Sequence, residues 1–153
     1  MKDSTIALDV KNVRRVFPDG TVALDDVSFS IHAGEFAVIA GSNGSGKSVL
    51  MSLIAGLDEA TCGTITLNGC QAGLVFQDAD AQILGETPEE DVAFGAKNCG
   101  LKKQELSECV ENALMHTGLL HKKNAPARML SGGEKRRLAV AGIIAMNRSL
   151  IIF

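Results

Sequence analysis

Residues Gly41 to Ser48 read GSNGSGKS, which fits the order G-x-x-x-x-G-K-[ST]. Each residue type has a chemical reason. Glycines let backbone N–H groups turn inward around phosphate oxygens without a Cβ in the way. A helix that starts at Lys47 points the positive end of its dipole at the same oxygens. The Lys47 ammonium can reach the outer phosphates as a point charge. The Ser48 hydroxyl can serve as one oxygen ligand of Mg²⁺. The alternative is a plain strand–helix turn, and the flanking sequence speaks against it. An apolar run precedes the loop and an amphipathic period follows it.

A second constellation is LSGGE, Leu130 to Glu134. Ser131 and Glu134 have the spacing of a capping box at a helix start. Capping does not account for Gly132 and Gly133, since each glycine in a first helical turn costs up to about 1 kcal/mol against alanine. Two glycines there would let a bulky anion approach the exposed N–H groups. This helix start therefore reads as a second phosphate-contacting surface, 84 residues beyond Lys47.

The elements that must position these residues follow from periodicity. Ile6–Val10 and Val27–Ile31 alternate with period two, and Pro18-Asp19-Gly20 between them is a turn signal. Glu35–Ala40 (EFAVIA) reads as a strand buried on both faces. Apolar residues at 49, 50, 53 and 54 predict a helix over 47–55, stopped at Gly56. Thr64–Leu67 and Leu74–Phe76 read as further strands, and helices are expected near 88–97, 103–117 and 133–146. The last of these has its apolar face at 138, 140, 141, 144 and 145, and Ser149–Phe153 reads as a buried strand. No internal repeat or low-complexity segment is present.

With both motifs in place, the sequence resembles the ATP-binding cassette (ABC) ATPases. The resemblance implies an α/β fold: a P-loop, RecA-like core with an N-terminal antiparallel β-subdomain and a helical subdomain. The expected division is 1–32 β-subdomain, 33–76 P-loop core, 77–132 Q-loop and helical subdomain, and 133–153 signature helix and next strand. It implies that Gly41, Ser42, Asn43, Gly44, Ser45, Gly46, Lys47, Ser48 and Val49 hold ATP, with Lys47 and Gln77 in catalysis and Ser48 and Gln77 at Mg²⁺. Leu130, Ser131, Gly132, Gly133 and Glu134 would act in trans, on ATP held by a second ATPase subunit. Phe17 resembles the aromatic residue that stacks on adenine; the plainer reading is a hydrophobic residue closing a β-turn.

The stretch Phe76 to Gly95, FQDADAQILGETPEEDVAFG, is similar to ATPase subunits of energy-coupling-factor and cobalt-type importers. That implies import of a small solute, such as a vitamin or a metal ion, through a transmembrane partner subunit. The chain departs from the family in two places. Only Gly69–Gly73 separate Asn68 from Leu74, a shortened connection. SLIIF at 149–153 is similar to the strand before the Walker B aspartate and catalytic glutamate, and the sequence ends there. The C-terminal half of the core is thus expected to be missing, and the 153 residues alone are expected to be inactive. A truncated nucleotide-binding fragment is the alternative function. A DNA-repair-type ABC ATPase is disfavoured, since no sustained heptads or CxxC pairs occur.

Bulk properties bound the rest. Of 153 residues, 46% are apolar and 22% charged, which allows a packed core and excludes long disorder. The net charge of −3 provides no global basic field, and no aromatic residues interleave with the basic cluster 135–137, so no nucleic-acid partner is expected. No run approaches the ~20 apolar residues of a membrane span. The N-terminus MKDSTIALDV lacks a leader pattern. Cys62, Cys70, Cys99 and Cys109 read as reduced thiols. A cytoplasmic location, peripheral at the inner face of the membrane, is the expectation. Residues 78–91 carry six acidic and no basic side chains, and 121–137 six Lys or Arg against one Glu. The first run reads as a solvated helix start or a match for a basic coupling helix, and Lys135–Arg137 within the second as the solvated face of the signature helix, with some local attraction for nucleotide.

Overall fold

The computed structural model describes residues 5–153. Residues 1–4, and with them the leader reading and the opening of the expected β-subdomain, lie outside the described residues. The chain divides into two compact units, one up to Ala72 together with Ile152, the other from Gly73.

The first unit is built on an antiparallel sheet. β1 (Ile6–Val16) lies between β2 (Val22–His32) and β3 (Cys62–Leu67). Both alternating segments of the sequence fall inside these longer strands. On β1 the buried residues are Ala7, Leu8, Val10 and Val13, so the period of two breaks after Val10. The break coincides with a bulge. Asn12 has φ +47, its side-chain amide donates to Asp26 at 2.7 Å, and the register with both neighbours shifts there. One extra residue turns Val13, rather than Asn12, to the core. Gly63 of β3 permits this, because a Cβ on it would sit 2.3 Å from the Asn12 carbonyl oxygen. α1 (Lys47–Ile54) buries Leu50, Leu53 and Ile54, the face read from the sequence, and Gly56 at φ +72 follows its end.

One expected strand is not there. Residues 35–40 form no strand, and Phe36 is 89% exposed and Val38 76%. A strand exists through its ladder, and no described strand pairs with this segment. Its apolar composition was legible; the neighbour it needs was not.

The second unit packs α2 (Pro88–Asn98), α3 (Lys103–His116) and α4 (Gly132–Ala145) around Val92, Ala96, Val110, Leu114, Leu119 and Leu138. Thr87 caps α2 by accepting from the Glu90 N–H, and Pro88 occupies the first turn, where its missing N–H costs nothing. α4 is buried more widely than its expected stripe. Leu138, Ala141 and Ala145 face the helices, while Ala139 and Ile143 pack on Val75. A helix held on two sides has no single apolar stripe, which explains the partial mismatch. β4 (Ala72–Leu74) and β5 (Leu150–Ile152) form a two-stranded sheet. β4 starts and ends two residues earlier than expected. The reason is Gln82, whose side chain takes the hydrogen bonds a longer strand would use. Its Oε1 accepts from the Phe76 N–H at 2.8 Å and its Nε2 donates to the Leu74 carbonyl at 3.3 Å. All four cysteines are free thiols. Burial, with Cys99 nearby, pushes the Cys109 thiol up, against its use as a nucleophile.

Candidate functional site

The loop Gly41–Ser48 belongs wholly to the first unit. Gly44 and Gly46 have φ +81 and +86, a region that costs other L-residues about 1–2 kcal/mol. Gly46 is the N-cap of α1, so no side chain caps this helix, and its first turn holds no acid. Its first N–H groups, which no helix satisfies internally, are thus left to an external acceptor. α2 and α4, by contrast, spend theirs on Thr87 and Ser131 and carry acids in their first turns. The Lys47 ammonium lies back across the loop. It donates to the carbonyls of Gly41 at 2.9 Å and Ser42 at 2.7 Å, with the Ser45 hydroxyl at 3.5 Å. Gly41 leaves room for this arrangement, since a Cβ there would sit 2.7 Å from the Ser45 Oγ.

The loop is seated on β2. A Cβ on Gly46 would lie 2.3 Å from the Ala23 carbonyl oxygen and 2.9 Å from the Leu24 Cδ2. Ala23 follows directly on the β1–β2 turn, which Phe17 closes. The Phe17 N–H donates to Thr21 at 2.9 Å and its carbonyl accepts from the Gly20 N–H. The turn-closing reading of Phe17 is thus correct as far as it goes. The sequence missed a neighbour of the ring: the Arg15 guanidinium stands over it, 5.3 Å from the centroid.

In the second unit, Ser131 and Glu134 form the capping box that their spacing predicts. The Ser131 hydroxyl accepts from the Glu134 N–H at 3.3 Å, and the Glu134 carboxylate accepts from the Ser131 N–H at 2.9 Å. Leu130 is buried beneath them. The Lys122 ammonium also donates to Glu134. That bond first, and the Ser131 N–H second, bring the Glu134 pKa down from 4.5 to about 2. The folded value lies below the unfolded one, so the stabilisation is full above about pH 4.5 and fades as pH falls toward about 2. Thermal melts of the wild-type chain and Glu134→Gln, followed by circular dichroism, should differ near neutral pH and converge in acid. A gap that stayed constant to the acid limit would refute the linkage.

Gly132 and Gly133 are not explained by the chain's own packing. Neither has positive φ, and a Cβ on either would meet nothing within 4 Å. Gly142, later in α4, is equally unconstrained, whereas two other glycines of this unit are required by contact. A Cβ on Gly73 would sit 2.5 Å from Ile143, and one on Gly85 would sit 2.3 Å from the Asp91 nitrogen.

Gln77 is exposed and follows the segment that Gln82 pins. The acidic run opens α2, as the helix-start reading expects, and many of its side chains also make specific bonds. Asp91 accepts from the N–H groups of Leu84 and Gly85, Glu90 from Glu86, and Asp78 from Asp80, so these acids shape the loop that leads into α2. Lys135 pairs with Asp80, and Lys123 with Glu111. Arg136 and Arg137 remain exposed, as a solvated face requires. Among the described residues, no group of three or more His, Cys, Asp or Glu could hold a metal ion.

A glycine loop opening a helix and seated on an antiparallel sheet, followed in the chain by a helical unit with a glycine-opened helix start, defines an α/β protein of the ABC ATPase fold. The ABC transporter family model matches residues 24–153. The chain belongs to that family. It is 42% identical to the energy-coupling factor transporter ATP-binding protein EcfA1 of Streptococcus pneumoniae serotype 2, over 95% of this chain and 58% of that protein. It is 44% identical to EcfA1 of Enterococcus faecalis, over 88% of this chain and 52% of that protein. Among solved structures it matches cbiO1 of Clostridium perfringens, part of the ABC transporter complex cbiONQ. That match has a TM-score of 0.86 and 34% identity, over 96% of this chain and 64% of that one. The chain thus spans between 52% and 64% of the length of these relatives.

Proposed function

We propose that this chain is the nucleotide-binding portion of an ABC transporter ATPase subunit of the energy-coupling-factor or cobalt type. Its whole protein would couple ATP binding and hydrolysis to import of a small solute, a vitamin or a metal ion. The phosphates of ATP sit in the loop Gly41–Ser48, on the free N–H groups of α1, with Lys47 turning from the loop carbonyls to the outer phosphates. The residues present fit Mg²⁺ as an ion carried in with ATP. The Ser48 hydroxyl supplies one oxygen, and phosphates and water supply most of the rest, in keeping with the hydration Mg²⁺ retains. Gln77 contributes its amide oxygen to the ion or to the attacking water, and Phe17 stacks on adenine. The division 1–32, 33–76, 77–132 and 133–153 is proposed on the same grounds.

One observation carries the two-subunit form of this reading. Gly132 and Gly133 open the start of α4 without being needed by the chain's own packing. An external anion explains them: the terminal phosphate of ATP on a second ATPase subunit, approached by Ser131 to Glu134. No described helix is long and apolar enough to cross a membrane, and on this reading the solute passes through a transmembrane partner subunit. The assembly would be peripheral, at the inner face of the membrane.

The direct test is calorimetric titration of the chain with Mg-ATP, followed by light scattering at saturation. Saturable one-site binding is expected, and replacing both Gly132 and Gly133 by valine should leave it intact while reducing ATP-dependent association. Absence of ATP binding by the wild-type chain would refute the reading. Association unaffected by the valines would refute its two-subunit form.

A further inference from the structure

Arg15 is a charged residue that neither motif requires. It lies one residue before the end of β1, across from Leu24 of β2, one of the two residues that a Cβ on Gly46 would meet. Its Nη2 donates to the Asp58 carboxylate at 2.8 Å, in the segment just beyond α1. Its guanidinium stands over the Phe17 ring, 5.3 Å from the centroid and within the ~6 Å range of cation–π attraction. Its Nε is buried and, among the described residues, has no hydrogen-bond partner. A buried donor without an acceptor is costly, so pairing with Asp58 alone would not favour this placement. The guanidinium is held between two elements of the first unit: the turn carrying Phe17 and the segment that ends the phosphate-loop helix.

We infer that Arg15 is a positioning residue for the nucleotide base: anchored by Asp58, it covers one face of Phe17 and fixes the plane of the ring, so that a purine stacks on the other face. This deepens the nucleotide reading and rests on it. A freely rotating phenyl ring must lose that freedom when a base stacks on it, whereas a ring already held by a cation does not. Stacking reads a π-face and no base edge, so the effect belongs to the base as such and is absent for phosphate alone.

The test compares two ligands on the full chain, Mg-ATP and inorganic tripolyphosphate, which carries the phosphates without the base. Arg15→Met keeps an unbranched apolar stem and removes the charge. It should weaken ATP about threefold to tenfold and leave tripolyphosphate unchanged, with partial recovery in Arg15→Lys. Phe17→Ala should weaken ATP at least as much. The double variant should be no worse than Phe17→Ala alone, because Arg15 acts through the ring. Asp58→Asn should give the same one-ligand loss in smaller measure, and serves if Arg15→Met does not fold. Equal weakening of both ligands, or effects that multiply in the double variant, would reduce Arg15 to a structural support and overturn the inference. A wild-type chain that holds tripolyphosphate as tightly as ATP would overturn it while sparing the phosphate reading. A chain that binds neither ligand would overturn both.

Discussion

Replacing Lys47 by alanine should weaken Mg-ATP binding by about 100-fold while leaving the chain folded. The first part follows from charge. A hydrogen bond to a charged group contributes about 1.5–3 kcal/mol, and an ammonium serving two phosphates forms more than one. The second part follows from where Lys47 sits. Its bonds to the carbonyls of Gly41 and Ser42 are made in an exposed loop. Water replaces such partners readily, so their loss should cost less than about 1 kcal/mol of stability. Lys47→Arg sharpens the case. It keeps the charge, but a planar fork needs a wider, fixed geometry than an ammonium folded back onto two adjacent carbonyls, so it should recover binding only in part. Calorimetric titration gives the affinity and a thermal melt gives the fold. Wild-type affinity in Lys47→Ala would exclude this loop as the phosphate site.

The second large effect is on stability. Gly46→Ala should destabilise the first unit by about 2–5 kcal/mol, from two additive causes. Left-handed backbone at φ +86 costs alanine about 1–2 kcal/mol, and a methyl forced into a filled space costs about 1–3 kcal/mol. The obstacle is the Ala23 carbonyl oxygen at 2.3 Å, on a strand whose backbone is tied into the sheet, so it cannot simply move aside. Gly44→Ala is the control. Its φ is nearly the same, +81, but a Cβ there meets nothing within 4 Å, so only the conformational cost remains. Urea unfolding of the two variants separates the causes. Equal midpoints would mean that contact between the loop and β2 contributes nothing. Since whole domains are stable by only about 5–15 kcal/mol, the larger loss would also thin the population able to bind nucleotide.

Both predictions concern residues visible in the sequence, but they were visible to different degrees. Lys47 is legible because G-x-x-x-x-G-K-[ST] names its chemistry outright. Gly46 is legible as a glycine of that pattern, yet its contact with Ala23 comes from residues 23 positions away. Arg15 over Phe17, Gln82 bracing the strand before Gln77, and Lys135 on Asp80 were not legible at all. Each depends on a single polar side chain that belongs to no pattern of its own. The acidic run 78–91 shows the same limit. Its composition suggested solvent or a basic partner, while the fold uses most of these acids to satisfy backbone N–H groups and nearby lysines.

What the sequence determined by itself was therefore local. The glycine loop at 41–48, the Ser131–Glu134 cap, the stop at Gly56 and the extents of the helices all follow from forces that act within one or two turns of chain: dihedral preference, capping and periodic burial. The tertiary structure decided everything that requires a partner from elsewhere. It left residues 35–40 without a ladder, turned Val13 inward through a bulge set by Asn12 and Gly63, and buried α4 on two sides. It also showed that Gly46 is required by contact while Gly132 and Gly133 are not. The reason is one of range. A dihedral or a cap is satisfied by its immediate neighbours, whereas a strand ladder, an ion pair or a steric contact exists only once distant segments have met.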